Sequence, residues 1–265
     1  MITFGYIVGG EERHYNNLKK SIKSIKDRIK VPYEILIIDN DGKLESESGI
    51  KVIHLDQPRK LQYYWSNRYR LNEFAETEYV MYMDTDTVIA NDRIEELIKQ
   101  SEDRFYVCQH WWVKEYGSYL NMNPTDASVV NKLTGLINYN DPYFASGVFL
   151  FNKDKNSKVF EEYWKIFNLC YEEGSNYKTG ITDEFMLAHS LNITKDYKFC
   201  HGSLNHCCEK QLMPIEFKDG NLWGSNPYEL EREKIVCLHC DTHRRDPSNG
   251  YDIDMSNYIK NMFYL

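Results

Sequence analysis

The chain has 265 residues, a formal charge of −8, seven Cys and 21 Tyr. The acidic balance excludes nonspecific nucleic-acid binding, and a chain of this length buries about three quarters of its unfolded surface, so it needs no staple to fold. No run reaches the ~18 apolar residues of a membrane span, no signal-peptide core precedes the first apolar run, and an odd Cys count without framework spacing points to thiols in a reducing compartment; a cytoplasmic location is expected.

Residues 2–8 are largely apolar and stop at Gly9-Gly10, a first strand and its turn. Leu18, Ile22, Ile25 and Ile29 recur at helical spacing, which predicts an amphipathic helix with a solvated Lys/Arg face. A second strand follows over 34–40, and its residues 35–38 form a continuous apolar run, typical of a parallel strand buried on both faces. Asp39 closes it, either as a ligand-facing carboxylate or as a turn former in Asp39-Asn40-Asp41-Gly42. A third strand over 51–55 and a helix over 63–75 follow, the helix carrying Asn67, Arg68 and Arg70. Strands followed by crossover helices make this a doubly wound, Rossmann-like half.

The fourth strand, residues 79–83, leads into Asp84-Thr85-Asp86. In an extended chain positions i and i+2 share one side, so the two carboxylates converge. They do so at the carboxyl end of the strand, the edge at which open α/β sheets bind ligands. Two carboxylates that close repel unless a cation lies between them, and a hard divalent cation is the natural candidate.

Beyond the pair, a short helix over 91–100 and a strand over 105–113 are expected, the latter containing His110, Trp111 and Trp112. Residues 114–142 are polar and poorly periodic, predicting a long loop over the site. After Pro142 an apolar strand carries Ser146 and Gly147, and Gly147 would let backbone approach a ligand closely. An amphipathic helix spans 159–171. Thr182 then caps a helix that opens with Asp183 and Glu184, charges that suit a helix N-terminus. A last apolar run, 235–238, delivers His239. The final third also gathers Cys200, His201, His206, Cys207, Cys208, Cys237, Cys240 and His243, a candidate zinc set whose spacing fits no common finger.

Asp84-x-Asp86 after an apolar strand resembles the signature of nucleotide-sugar-dependent glycosyltransferases of the GT-A fold, in which the pair holds a metal against the donor diphosphate. Residues 143–152 resemble the Tyr-Phe-Asn-Ala-Gly-Val-Leu-Leu-Ile-Asn pattern of the retaining family-eight enzymes, and 235–239 resemble their Ile-Ile-His segment. Ala145 stands where that family keeps a donor-touching Asn, so the donor sugar stays open. The resemblance implies an α/β GT-A fold: a Rossmann-like, mixed but mainly parallel sheet with helices on both faces. It implies one domain over 1–265, with a nucleotide-binding half over 1–90 and an acceptor- and metal-completing half over 91–265.

The implied metal is Mn²⁺ or Mg²⁺ on Asp84, Asp86 and His239. The implied donor is a nucleotide sugar, UDP-sugar favoured, on Val8, Asp39, Arg68, Asp84, Thr85, Ser146 and Gly147. Arg244 or Arg245 would replace the Lys with which family eight grips the diphosphate, since Arg binds phosphate bidentately. Asp183 and Glu184 become the catalytic carboxylates, Trp111 and Trp112 the platforms for a glycan or other hydroxyl acceptor. The late motifs favour retention of configuration. The early half also resembles inverting family two, in which Asp183 or Glu184 would be the base.

Two rivals remain. Asp84-Thr85-Asp86-Thr87-Val88 also resembles the nucleophile motif of haloacid-dehalogenase phosphatases. That motif belongs near the start of its domain and needs a later acidic pair after an apolar strand. Here 83 residues precede Asp84 and no such pair is clear. A noncatalytic carbohydrate-binding protein would share the fold and lack a working metal site.

Overall fold

The computed structural model describes residues 1–56, 61–109, 124–171, 182–207, 215–219, 221–225 and 231–239. In chain order, β1 (Ile2–Val8), α1 (Glu12–Arg28), β2 (Tyr33–Asp39) and β3 (Ile50–Ile53) come first. The expected 63–75 helix is three pieces: α2 (Leu61–Ser66), a 3₁₀ turn (Asn67–Arg70) and α3 (Leu71–Phe74). Then come β4 (Tyr79–Met83), β5 (Thr87–Ile89), α4 (Ile94–Ser101) and β6 (Phe105–Gln109). After α5 (Pro124–Thr134) and β7 (Phe144–Asn152) lie α6 (Ser157–Tyr171) and α7 (Asp183–Thr194). The last described part holds β8 (Tyr197–Phe199), a 3₁₀ turn (Gly202–Asn205), β9 (His206–Cys207), β10 (Glu216–Lys218), β11 (Asn221–Gly224), β12 (Glu233–Lys234) and β13 (Cys237–His239).

Seven strands form the main sheet in the order β3-β2-β1-β4-β7-β6-β8. β1 is parallel to both β2 and β4, β2 to β3, and β6 to β8. β7 runs antiparallel to both its neighbours. The sheet is therefore mixed and mainly parallel, as the resemblance implies. Residues on alternate sides of each strand feed two separate cores. Phe4, Tyr6, Ile35, Ile37, Met81 and Met83 pack with Leu18, Ile22 and Ile25 of α1. Leu36, Ile38, Val80, Tyr82, Phe149 and Phe151 pack with α6 and α7 residues such as Tyr163, Phe167 and Phe185 on the other face. Both faces are thus covered, which explains why the strands read as apolar runs rather than clean alternations.

From β1 the chain winds outward to β2 and β3, then returns to place β4 on the other side of β1. The winding direction reverses between β1 and β4, and a crevice opens at their carboxyl ends, the place where such sheets bind ligands.

Two expectations need correction. Residues 124–134, expected in a loop, form α5, which buries Ala127, Val129 and Val130; Pro124 at its first position is the start signal that the weak periodicity obscured. Asp84 and Asp86 are not on an extended strand. β4 ends at Met83, and the Thr87 N–H donates to the Asp84 carbonyl at 3.0 Å, so the pair occupies a tight turn. β5 lies outside the main sheet and joins β13 and β9 in a small second sheet. The 110–113 part of the expected 105–113 strand lies outside the described residues.

Candidate active site

The turn after β4 is held from two sides. The Asp84 N–H donates to the Gly147 carbonyl at 2.9 Å. β5 pairs antiparallel with β13 in a register that sets Thr87 opposite His239. This pairing delivers the imidazole to the residue next to Asp86. His239 Nε2 lies 3.1 Å from Asp86 Oδ1 and 3.8 Å from Asp84 Oδ2. One ligand atom from each of the three residues falls within 4.8 Å of the others. The carboxylates therefore converge as expected, by a turn and a second sheet rather than by strand alternation.

The residues fit a divalent cation. Two carboxylates and one imidazole are ligands such ions accept. Burial pushes the Asp84 carboxyl up, against the pull of Arg68 and His239, and neighbouring Asp86 pushes it the same way. His239 Nδ1 lies 3.2 Å from Asn205 Oδ1, which holds the ring with Nε2 facing the carboxylates. Gly147 lacks a Cβ for a local reason: one built there would lie 2.7 Å from His239 Cε1 and 3.1 Å from Asp84 Oδ2. Its expected job of admitting a ligand becomes the job of admitting the triad.

Arg68 is the buried cation of the site. The 3₁₀ turn breaks the helix at this residue and turns its side chain inward. Its Nη1 lies 3.5 Å from Asp84 Oδ1 and donates to the Ser146 carbonyl at 3.0 Å, while its Nε lies 3.3 Å from Asp183 Oδ2. The guanidinium also rests over the Tyr82 ring at 4.7 Å, and the Tyr82 hydroxyl donates to Asp84. One cation thus links the metal-type cluster to the acidic pair of α7.

At that helix start the Thr182 hydroxyl accepts from the Phe185 N–H at 3.2 Å, as the cap pattern predicts. Tyr69 donates to Asp183 at 3.5 Å. Glu184 Oε2 accepts from the Ser146 N–H at 3.1 Å and from its hydroxyl at 3.2 Å. Burial pushes the Glu184 carboxyl up to about 7, against the pull of the Ser146 N–H, and Asp183 adds to the rise. Ser146 therefore spends its polar atoms on Arg68 and Glu184.

A cleft of about 380 Å³ runs from this cluster into the nucleotide half, between Val8, Gly9, Tyr64, Trp65, Thr85 and Asp86. Val8 and Thr85 stand on its wall. Asp39 does not. Its side chain is fully buried, and its oxygens accept from the Tyr15 hydroxyl and from the N–H groups of Asp41, Lys43 and Leu44. The carboxylate has about four acceptor sites, and all are used to shape the 40–44 turn. Arg244, Arg245, Trp111 and Trp112 lie outside the described residues. So do Cys208, Cys240 and His243 of the candidate zinc set. Among the described residues the one metal-type cluster is Asp84, Asp86 and His239.

Sequence reasoning missed Asn205, Tyr64 and the Tyr82 hydroxyl. Tyr82 was within reach, because it stands on β4 only two residues before Asp84. Asn205 was not, because it lies 34 residues from His239 along the chain and only the parallel pairing of β9 with β13 brings it near.

The model of the family described as "Glycosyl transferase family 2" matches residues 11–160. This chain belongs to glycosyl transferase family 2. The matched span contains Arg68, Asp84, Asp86, Ser146 and Gly147 and ends before Asp183, Glu184 and His239. Among the family-eight-like motifs, the one ending in His239 therefore lies beyond it. No curated protein matches the chain. Among the solved structures that share its fold are two of LgtC. One is an active-site mutant of LgtC, at 13% identity and a TM-score of 0.60, covering 98% of this chain and 96% of that one. The other is the galactosyltransferase LgtC with donor and acceptor sugar analogues, at 12% identity and 0.61, covering 100% and 97%. The family-2 chain is a glycosyltransferase with the GT-A fold, which disposes of the phosphatase and noncatalytic rivals. No helix among the described residues is long and apolar enough to cross a membrane.

Proposed function

We propose that this glycosyltransferase moves a sugar from a nucleotide-sugar donor, UDP-sugar favoured, to a hydroxyl of a glycan or glycoconjugate, with a divalent cation on Asp84, Asp86 and His239. The observation that carries the reading is the meeting of these three side chains at the mouth of the crevice between β1 and β4. When bound, the cation supplies Lewis-acid neutralisation of the donor diphosphate. The imidazole in the set favours Mn²⁺ over Mg²⁺, which prefers oxygen ligands alone. The 1–90 half then holds the nucleotide in the cleft lined by Val8, Thr85 and Tyr64, and Arg244 is assigned to the diphosphate on its residue type.

The protein's own residues divide the remaining work. Arg68 clamps Asp84 and Asp183 so that neither swings away when substrate enters. Glu184 accepts the acceptor hydroxyl's proton as that oxygen attacks the anomeric carbon and the nucleoside diphosphate departs. A base works best with a pKa near the operating pH, and Glu184 at about 7 has one. This favours inversion. Retention, the outcome favoured by the late motifs, needs no such base.

The test is a thermal-shift panel of UDP-, GDP-, CDP- and dTDP-sugars, each with Mn²⁺ or with chelator. A ligand at ~100 times its Kd adds about 2.7 kcal/mol of stability, enough to read. One nucleotide class should raise Tm, and chelation or Asp86→Ala should cancel the rise. A rise that survives both would sink the metal assignment. The anomeric configuration of the product, read by NMR, decides between inversion and retention.

A further inference from the structure

Cys108 and Cys200 lie side by side across two neighbouring strands, and the transfer chemistry uses neither. β6 and β8 run parallel with Val107 paired to Phe199. The Cys200 N–H donates to the Val107 carbonyl at 3.1 Å, so the next step of the register sets the two cysteines opposite each other. Their Sγ atoms are 3.0 Å apart, inside the roughly 3.5–4.0 Å of ordinary nonbonded contact. Neighbouring strands stand about 4.8 Å apart, within the ~4.4–6.8 Å Cα separation that a disulfide spans. The strand spacing is thus compatible with a bond between the two sulfurs.

Buried thiols commonly pack as small hydrophobes. Cys170, which lies in the opposite core layer, is of that kind. Cys237 shares the layer of Cys108 and Cys200 and lies close enough to feel Cys108, but it stands on the small second sheet rather than on β6 or beside β8.

We infer that Cys108 and Cys200 form a redox-active dithiol, which a low-molecular-weight disulfide such as oxidised glutathione converts to an intramolecular disulfide. Cys200 is the entry point, being 8% exposed against 1% for Cys108. Its thiolate attacks one glutathione sulfur, giving a mixed disulfide and releasing the first glutathione thiolate. The Cys108 thiolate then attacks Cys200 Sγ, the Cys108–Cys200 bond forms and the second glutathione leaves. Two protein thiols are oxidised, one glutathione disulfide is reduced to two thiols, and both protons pass to the departing glutathiones. The surrounding thiol poise decides which form is held.

The cross-link acts on a sensitive segment. Cys200 is followed by the 3₁₀ turn Gly202–Asn205, whose last residue holds His239. Oxidation ties the start of that segment to β6 and closes a long loop.

The wild-type protein is incubated with oxidised glutathione, its remaining thiols are alkylated under denaturing conditions, and the digest is mapped by mass spectrometry. The expected result is a linked Cys108–Cys200 peptide pair that dithiothreitol releases. Oxidation should also raise Tm by roughly 5–15 °C, a rise absent from Cys200→Ser and from Cys108→Ala. The map needs only wild-type chain, so it does not depend on either variant folding. Full alkylation of both residues after oxidation, a lasting glutathione adduct on Cys200, or a link from Cys108 to Cys237 would each overturn the pairing.

Discussion

Asn205 Oδ1 lies 3.2 Å from His239 Nδ1, while the other nitrogen of the same ring faces Asp86. An imidazole held this way has its ring plane set before any cation arrives. Removing such a support typically costs 10- to 100-fold in metal affinity. Asn205→Ala should therefore weaken Mn²⁺ binding by about that factor in calorimetric titration, with an unchanged circular-dichroism spectrum, and Asn205→Asp should restore it. Wild-type affinity in Asn205→Ala would show that β13 alone positions the ring.

Gly147 makes a second geometric prediction. A methyl group there would meet His239 and Asp84 at 2.7 and 3.1 Å. Both are held by other contacts, so the added methyl must displace one of them. Overpacking of this kind costs about 1–3 kcal/mol. Gly147→Ala should lower Tm by several degrees and abolish measurable Mn²⁺ binding. If instead the Ala variant binds Mn²⁺ normally, the triad is looser than its packing implies.

The extent to which this site was legible in the sequence follows from the range of the interactions. Asp84, Asp86 and Thr182 announce themselves because strand ends and helix caps are local, set by residues two or three apart. The winding of the sheet was also readable, since apolar runs alternate with one clear amphipathic helix. The role of Asp39 was not. Its turn-forming and ligand-binding readings use the same residue type, and only the four donors gathered around its carboxylate decide between them. Arg68 was one of three candidates on its helix. What singles it out is the 3₁₀ turn that points it inward between Asp84 and Asp183, a tertiary outcome that helical periodicity does not register.

Glu184 ties stability to pH. Its carboxyl titrates near 7 in the folded protein against an ordinary value of 4.5, so the native state binds the proton more tightly than the unfolded chain. The linkage sign follows: stability falls as pH rises from about 4.5 through 7. Glu184→Gln keeps an acceptor for Ser146 and removes the buried charge. In metal-free protein it should be more stable than wild type at pH 8, by on the order of 1–3 kcal/mol, and nearly equal at pH 5. Turnover should fall by about 10²-fold or more if Glu184 is the base. A variant with full turnover would return the proton to Asp183 or to solvent.

Arg68 is the converse case, a buried cation whose loss strands two anions. Its guanidinium lies 3.5 Å from Asp84 and 3.3 Å from Asp183, and breaking one side of a buried ion pair costs about 3–5 kcal/mol. Arg68→Met preserves the length of the aliphatic stem and removes the charge. At pH 8 it should be destabilised by about that amount. Burial already pushes the Asp84 carboxyl up against the pull of Arg68, so without the guanidinium the deficit should shrink towards acid pH. Added Mn²⁺ should recover part of the loss at pH 8, because a cation on the triad restores charge beside Asp84 but does nothing for Asp183. Denaturant unfolding of wild type and variant, at the two pH values and with or without Mn²⁺, checks all three statements. A deficit that neither acid nor Mn²⁺ reduces would mean that Arg68 acts by packing on Tyr82 and Trp65 rather than by its charge.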